Sequence, residues 1–181
     1  ILRLIHGRDR NVTLVEAAVG AAEGSVDLHV NSANPTVTTA AAGFLAAARD
    51  AEGWRDQHWD RTLSVPMTSL DALIARHGLP AFVKIDVEGF EDAVLAGLSQ
   101  PLPALSFEFT TIARDVAGRC LDRLADLGSY RFNLSLGEEQ RFAFPEPVTG
   151  EVMRTHIAAL PHAANSGDVY AMLAATRPRA A

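Results

Sequence analysis

The chain has 181 residues, 48% hydrophobic and 21% charged, which suits one folded domain with its own core and excludes a disordered chain. Its formal net charge of −6 excludes a general nucleic-acid surface, which needs clustered Lys and Arg. Cys120 is the single cysteine, so no disulfide can close within the chain, and no apolar run is long enough to span a bilayer. No signal-peptide pattern is visible, and the expected location is cytoplasmic, with no membrane partner.

The spacing of Leu4 and Ile5 with Ile1 predicts a helix end over Ile1 to Arg8, stopped near Gly7. Asn11 to Val19 is β-like. Gly24 turns the chain into Ser25 to Val30, where Val26, Leu28 and Val30 alternate with Ser25, Asp27 and His29, a half-exposed strand with His29 on its polar side. Asn31 to Ala42 carries Asn, Thr and Pro and reads as a loop, with Ser32, Asn34, Thr36, Thr38 and Thr39 as its polar residues. Phe44 to Trp59 starts as a short helix and ends in an aromatic, charged stretch, in which Trp54 and Trp59 are expected to cover a core edge. Arg61 to Met67 is a strand placed at a sheet edge by Pro66. Thr68 and Asp71 are spaced to cap the helix Leu70 to Arg76, which Gly78 and Pro80 end.

The stretch Phe82 to Leu98 organises the chain. Phe82 to Val87 is long enough for one buried strand. Phe90, Ala93, Val94, Gly97 and Leu98 then recur at helical spacing. Glu88, Glu91 and Asp92 fall around the first turn, where carboxylates suit the positive end of the helix dipole. Gly89 at the junction permits unusual φ or a close approach. Asp86 and Glu88 lie at the carboxyl end of the strand, where open α/β sheets bind ligands, and a carboxylate in an apolar strand needs a partner.

Pro101 and Pro103 break the chain before the strand Ala104 to Thr110, in which Glu108 lies on the face opposite Phe107 and Phe109. Ile112 to Leu127 is an amphipathic helix with Cys120 in its apolar stripe, and Gly128 fits its C′ position. Tyr130 to Leu136 alternates as a strand, Gly137 turns, and Arg141 to Phe144 reads as a short return strand. Thr149 to Leu160 has weak helical periodicity, Asp168 to Ala174 is the last strand, and Arg177 to Ala181 is a tail. Strands alternate with helices in the middle and form hairpins near the ends, which implies an α/β fold.

The run Lys84-Ile85-Asp86-Val87-Glu88-Gly89-Phe90-Glu91, with Val94-Leu95-Ala96-Gly97-Leu98 behind it, resembles the signature of FkbM-type methyltransferases, S-adenosylmethionine-dependent enzymes of the Rossmann-like class. Asn11 to Gly20 with Glu23-Gly24, then Thr68-Ser69-Leu70-Asp71-Ala72-Leu73, then Leu105-Ser106-Phe107-Glu108, are similar to further elements of that family, in its order. The resemblance implies a class I methyltransferase sheet, mostly parallel with an antiparallel last strand, and S-adenosylmethionine as cofactor. In the family, the first strand leads into a glycine-rich turn that holds the methionine part, and the second ends in an acidic residue for the ribose. No such turn follows a strand here. Residues 1–181 are therefore expected to be a single domain, the C-terminal portion of an FkbM-like domain lacking its first two βα units, about 60 residues at ~30 per unit. Those strands are central in the family, so their absence is expected to leave a gap and two open strand edges in a chain whose natural form is longer.

Carried over by position, Glu16, Ala17 and Ala18 would lie beside the adenine, and Asp86 and Glu88 would face the sulfonium methyl and the acceptor. Glu108 would stand at the end of the neighbouring strand. Methyl transfer is an in-line displacement in which the enzyme aligns an acceptor oxygen and removes its proton, and Asp86, Glu88 or Glu108 could serve. The same carboxylates could hold a hard divalent cation, but no spacing enforces it, and no metal is expected. His6, His58, His77, His156 and His162 show no paired spacing, and no Walker loop, G-x-S-x-G elbow or CxxC is present. The leading expectation is methyl transfer to a hydroxyl of a small molecule, of sugar or polyketide type. The alternatives are a non-catalytic binding or scaffold module that kept the fold, and a carboxylate–metal hydrolase. Open strand edges with Trp54 and Trp59 also allow a homo-oligomer.

Overall fold

The structure, a computed structural model, describes residues 2–174. Ile1 and the tail expected over Arg177 to Ala181 lie outside the described residues. In chain order the elements are α1 (Leu2–His6), β1 (Ala18–Val19), β2 (Gly24–Val30), α2 (Ala42–Asp50), β3 (Arg61–Thr68), α3 (Leu70–His77), β4 (Val83–Ile85), α4 (Glu91–Ala96), β5 (Ala104–Thr110), α5 (Arg114–Leu127), β6 (Tyr130–Leu136), α6 (Gly150–Ala159) and β7 (Ser166–Leu173). Short 3-10 turns at Pro35–Val37 and His162–Ala164 complete them. The fold is α/β, with the strands in two sheets ordered β1-β3-β2 and β4-β5-β7-β6.

Parallel pairing is limited to β1 with β3 and β4 with β5; β2–β3, β5–β7 and β6–β7 are antiparallel. Among the described residues the sheets are therefore not mostly parallel, although the last strand is antiparallel to both neighbours. The cause is local. β2 runs back along β3 over its whole length, and β7 inserts between β5 and β6.

The four-stranded sheet is built by strict alternation. Ile85, Phe107, Val169 and Leu134 sit on adjacent strands in register, and each is almost wholly buried. α5 packs on β5 and α6 on β6, with α4 against α5. Cys120 lies inside this layer, fully buried, with burial pushing its thiol up, so it is a core residue as the stripe implied. The opposite face carries Lys84, Ser106, Glu108, Asp168 and Tyr170.

Several boundaries move. Asn11 to Val15 forms no strand, because an extended segment with no neighbour has no ladder; Val12 and Val15 stay exposed, and only Ala18–Val19 pairs, with Met67 and Thr68. Pro66 lies in the central strand of its sheet rather than at an edge. It is tolerated because β1 joins only from Met67 onward, so one side of β3 has no partner at the proline. Ser69, not Thr68, caps α3 by accepting from the Ala72 amide, while Asp71 accepts from the Ser99 amide. The expected return strand at Arg141 to Phe144 is reduced to one bridge, Ser135 with Phe142. At the end of α5, Gly128 is extended (φ 170°) rather than left-handed, and the Leu173 side chain lies where its Cβ would be. Trp54 and Trp59 stand edge-on to the buried Phe44 ring at 5.2 and 6.2 Å, covering the core edge as expected.

The apolar core is continuous, running from Phe44 and Leu70 beside the first sheet to Ile85, Val94 and Phe107 in the second. Tyr130 closes the far end: its hydroxyl donates to the Leu102 carbonyl and accepts from the Leu102 amide, each at 2.8 Å. Tyr130→Phe strands both backbone groups in the interior and is expected to cost about 2 kcal/mol in urea unfolding. A loss below ~0.5 kcal/mol would mean that water replaces the hydroxyl without penalty.

Candidate active site

β4 ends at Ile85, and the chain must then reverse into α4 within five residues. It does so through two consecutive left-handed residues, Glu88 (φ 54°) and Gly89 (φ 89°). Gly89 is required there twice over. Its φ suits only glycine at low cost, and a Cβ would lie 2.8 Å from the Phe44 side chain. Glu88 has no such exemption, so its conformation is held by its surroundings.

Those surroundings are three hydrogen bonds. The Glu91 carboxylate, 2% exposed, accepts from the Gly89 amide at 3.1 Å and from the Val87 amide at 3.3 Å. The Thr39 hydroxyl donates to the Glu88 carbonyl at 2.6 Å. Glu91 is thus no solvated charge at a helix start. It is turned inward to cap the loop that precedes its own helix. Asp92 keeps the outward role, paired with Arg119 at 2.6 Å.

The turn brings the three expected carboxylates together. Asp86, Glu88 and Glu108 each offer an oxygen, and these lie within 4.8 Å of one another. Asp86 follows β4 rather than sitting inside it, with its side chain half exposed and 3.4 Å from the Lys84 ammonium. Lys84 in turn binds Asp168 at 2.8 Å. Burial works against the Lys84 charge, but its bond to Asp168 outweighs this and holds its pKa above the ordinary lysine value.

Glu108 is the most perturbed of the group. Burial, then the charges of Glu88, Asp86 and Glu91, push its carboxyl up to about 8. One of its oxygens, Oε2, is buried with no hydrogen-bond partner. Glu88 is pushed to about 7 by burial, Asp86 and Glu91. Glu91 also stands near 7, where burial outweighs the backbone amides that favour its charge. Carboxyl groups poised near neutrality can exchange protons with a bound hydroxyl at physiological pH.

Next to this cluster lies a cleft of about 690 Å³ between the two sheets. Val15, Glu16, Ala17, Ala18 and Val19 form one wall; Asp86, Val87 and Phe90 form the other; Leu28, Thr38, Ala40, Val65 and Pro66 complete it. The six residues singled out from the sequence thus fall in two adjoining places. Glu16, Ala17, Ala18 and Asp86 line the cleft, and Glu88 and Glu108 stand beside it around Asp86. Glu16 also pairs with Arg3 at 2.8 Å on the surface, where both side chains are mostly exposed.

Sequence reasoning missed two contributors. Thr39 was one of several polar loop residues with nothing in its spacing to single it out. Glu91 did carry a signal, because three carboxylates compete for one helical turn in Glu88-Gly89-Phe90-Glu91-Asp92 and not all can face solvent. The described residues also contain no helix long and apolar enough to cross a membrane.

The family model described as Methyltransferase FkbM domain matches residues 5–144. No curated protein and no solved structure matches the chain.

Proposed function

We propose, from the premise that this chain belongs to the FkbM methyltransferase domain family, that its methyl transfer draws on S-adenosylmethionine and acts on a hydroxyl of a small molecule, in the cleft between the two sheets. The observation that carries the reading is that cleft, lined by Glu16, Ala17 and Ala18 on one side and Asp86 on the other. The strand order β4-β5-β7-β6 with an antiparallel β7 supports a Rossmann-like class I sheet for this half of the molecule.

The residues present suit such a cofactor. Ala17, Ala18, Leu28, Val65 and Phe90 offer an apolar surface for a flat heterocycle, and Glu16 can accept from hydroxyls. Asp86 and its acidic neighbours favour a cationic group, and the unpartnered Glu108 oxygen awaits a donor. A glycine-rich cradle for the methionine part has no counterpart among the described residues. When bound, the cofactor supplies an electrophilic methyl on a sulfonium centre.

The work of the chain is then positioning and proton removal. Glu108 or Glu88, held near neutral pKa, accepts the acceptor hydroxyl's proton as the oxygen becomes nucleophilic. Asp86, more exposed and tied to Lys84, orients the hydroxyl at the cleft mouth. Phe90 and the apolar wall limit water at the reacting centre.

The test is methyl transfer from labelled S-adenosylmethionine to a panel of sugars and polyketide-like alcohols, with Asp86→Ala beside the unsubstituted chain. The expected result is transfer that Asp86→Ala reduces at least ~100-fold without abolishing S-adenosylhomocysteine binding. Folded protein that neither binds the cofactor product nor transfers methyl groups would leave the non-catalytic module as the better account.

A further inference from the structure

Thr39 lies 49 residues from the turn it touches. It is almost wholly buried, and its backbone is fixed to β2 by a pair of hydrogen bonds with His29, at 2.7 and 3.1 Å. Its neighbours Thr38 and Ala40 line the cleft, while its own side chain turns the other way. There the hydroxyl accepts from the Ala41 amide at 2.9 Å and donates to the Glu88 carbonyl at 2.6 Å. From the opposite side, Glu91 accepts from the amides flanking Glu88, those of Val87 and Gly89. The Glu88–Gly89 peptide is therefore gripped at both its polar atoms, the carbonyl by Thr39 and the amide by Glu91, and the Asp86–Val87 peptide is held at its amide by Glu91 as well.

We propose that Thr39 and Glu91 are positioning residues, a two-sided latch that holds Glu88 left-handed so that its carboxylate faces Asp86 and Glu108 beside the cleft. The latch has a physical reason. A non-glycine residue in the left-handed region costs free energy and relaxes unless its surroundings over-determine it. Three like-charged carboxylates also repel, and only a fixed backbone keeps a mobile Glu side chain among them. Gly89, closed over by Phe44, removes the remaining freedom. Because Thr39 is anchored to β2, the latch also ties the cleft wall of the first sheet to the carboxylate turn of the second. Binding in the cleft and the orientation of Glu88 are then mechanically coupled. This rests on the reading of Glu88 as a group that faces the acceptor.

Thr39→Val tests it, since valine keeps the volume and removes the hydroxyl. Two readouts are taken on the full chain. The first is methyl transfer, where kcat should fall at least ~10-fold with KM changed less than ~3-fold, and Thr39→Ser should recover most of kcat. The second needs no activity: the Glu88 carboxyl titration followed by carbon-13 NMR, assigned by the resonance lost in Glu88→Gln. In the unsubstituted chain Glu88, facing Asp86, Glu91 and Glu108 with Lys84 paired to Asp86, should titrate near 7. In Thr39→Val its midpoint should fall toward 4.5 as the side chain swings to solvent, and Thr39→Ser should restore it. An unchanged midpoint in folded Thr39→Val overturns the latch whatever the activity. A midpoint near 4.5 in the unsubstituted chain overturns it without any variant. A falling midpoint in a chain that transfers no methyl group supports the latch and overturns the methyltransferase reading of the site instead.

Discussion

Raising the pH from about 5 to 8.5 is expected to destabilise this protein by on the order of 3 kcal/mol, and Glu108→Gln to remove more than half of that loss. Glu88 and Glu91 near 7 and Glu108 near 8 all stand above their ordinary value of 4.5. A carboxyl whose folded pKa is raised binds its proton more tightly in the folded state. Its contribution to stability is therefore fully present below about 4.5 and disappears as the pH rises through 7 to 8. The three shifts are partly one another's cause, and solvent reaches Glu88, so the cluster's total is far smaller than the separate shifts would sum to.

Glutamine at position 108 keeps the shape and removes one charge from the cluster. Urea unfolding at pH 8.5 should show the variant more stable by about 2 kcal/mol, with little difference at pH 5. On the proposal that Glu108 or Glu88 takes the acceptor's proton, methyl transfer should fall 10²- to 10⁴-fold where Glu108 is that base, and far less where Glu88 is. A stabilised but inactive variant is the pattern of a site that keeps a strained charge for its chemistry. Equal stability of the unsubstituted chain at both pH values would show that the three carboxylates are relaxed and far apart.

Gly97→Ala should cost about 3 kcal/mol, and lower Tm by roughly 6–10 °C, because it strikes the seam between the sheets. Gly97 ends α4, and a Cβ there would lie 2.3 Å from the carbonyl oxygen of Gly20, which directly follows β1. Neither side can yield cheaply. Gly20 is held by its amide's bond to the Thr68 carbonyl at 2.9 Å, and the Gly97 carbonyl accepts from the Asp71 amide at 3.0 Å. Alanine's better helix propensity, worth under ~1 kcal/mol, cannot offset a backbone collision.

The seam also sets the cleft width, since Val15 to Val19 lead into Gly20 while Asp86 to Phe90 lead into α4. The variant should therefore lose cofactor-product affinity as well as stability. Gly43→Ala, inside α2 with open space around its Cβ, is the control and should stabilise slightly. Gly97→Ala within ~0.5 kcal/mol of the unsubstituted protein would show that the two sheets slide freely at this seam.

Two strands of the second sheet were readable because their patterns are self-sufficient, whereas the buried strand expected over Phe82 to Val87 is only Val83–Ile85, with Phe82 exposed. Leu105, Phe107 and Phe109 alternate with Ser106 and Glu108, and the strand runs from Ala104 to Thr110 as the alternation implies. Tyr130 to Leu136 behaves likewise. Asn11 to Val15 has equal β character and forms no strand, because a strand exists only with a partner and sequence pattern does not supply one. Pro66 misled for the related reason that edge or centre is a property of neighbours; here the neighbour arrives one residue later.

At the site, Asp86, Glu88 and Glu108 could be named since two strand ends place them. Thr39 could not, because its role depends on a loop returning across 49 residues to one carbonyl. Glu91 and Asp92 are adjacent in sequence and chemically alike, yet one is buried against amides and the other pairs with Arg119 at the surface. Only the direction of the helix decides between them.

The most direct test of the account is an amide NMR titration of the chain with S-adenosylhomocysteine. The account predicts saturable shifts concentrated at Ala17, Ala18, Val87 and Gly89, on both walls of the cleft, with the α5–α6 surface around Gly118 unmoved. Shifts confined to another surface, or none from folded protein at millimolar ligand (~4 kcal/mol of binding), would contradict a cofactor site between the two sheets.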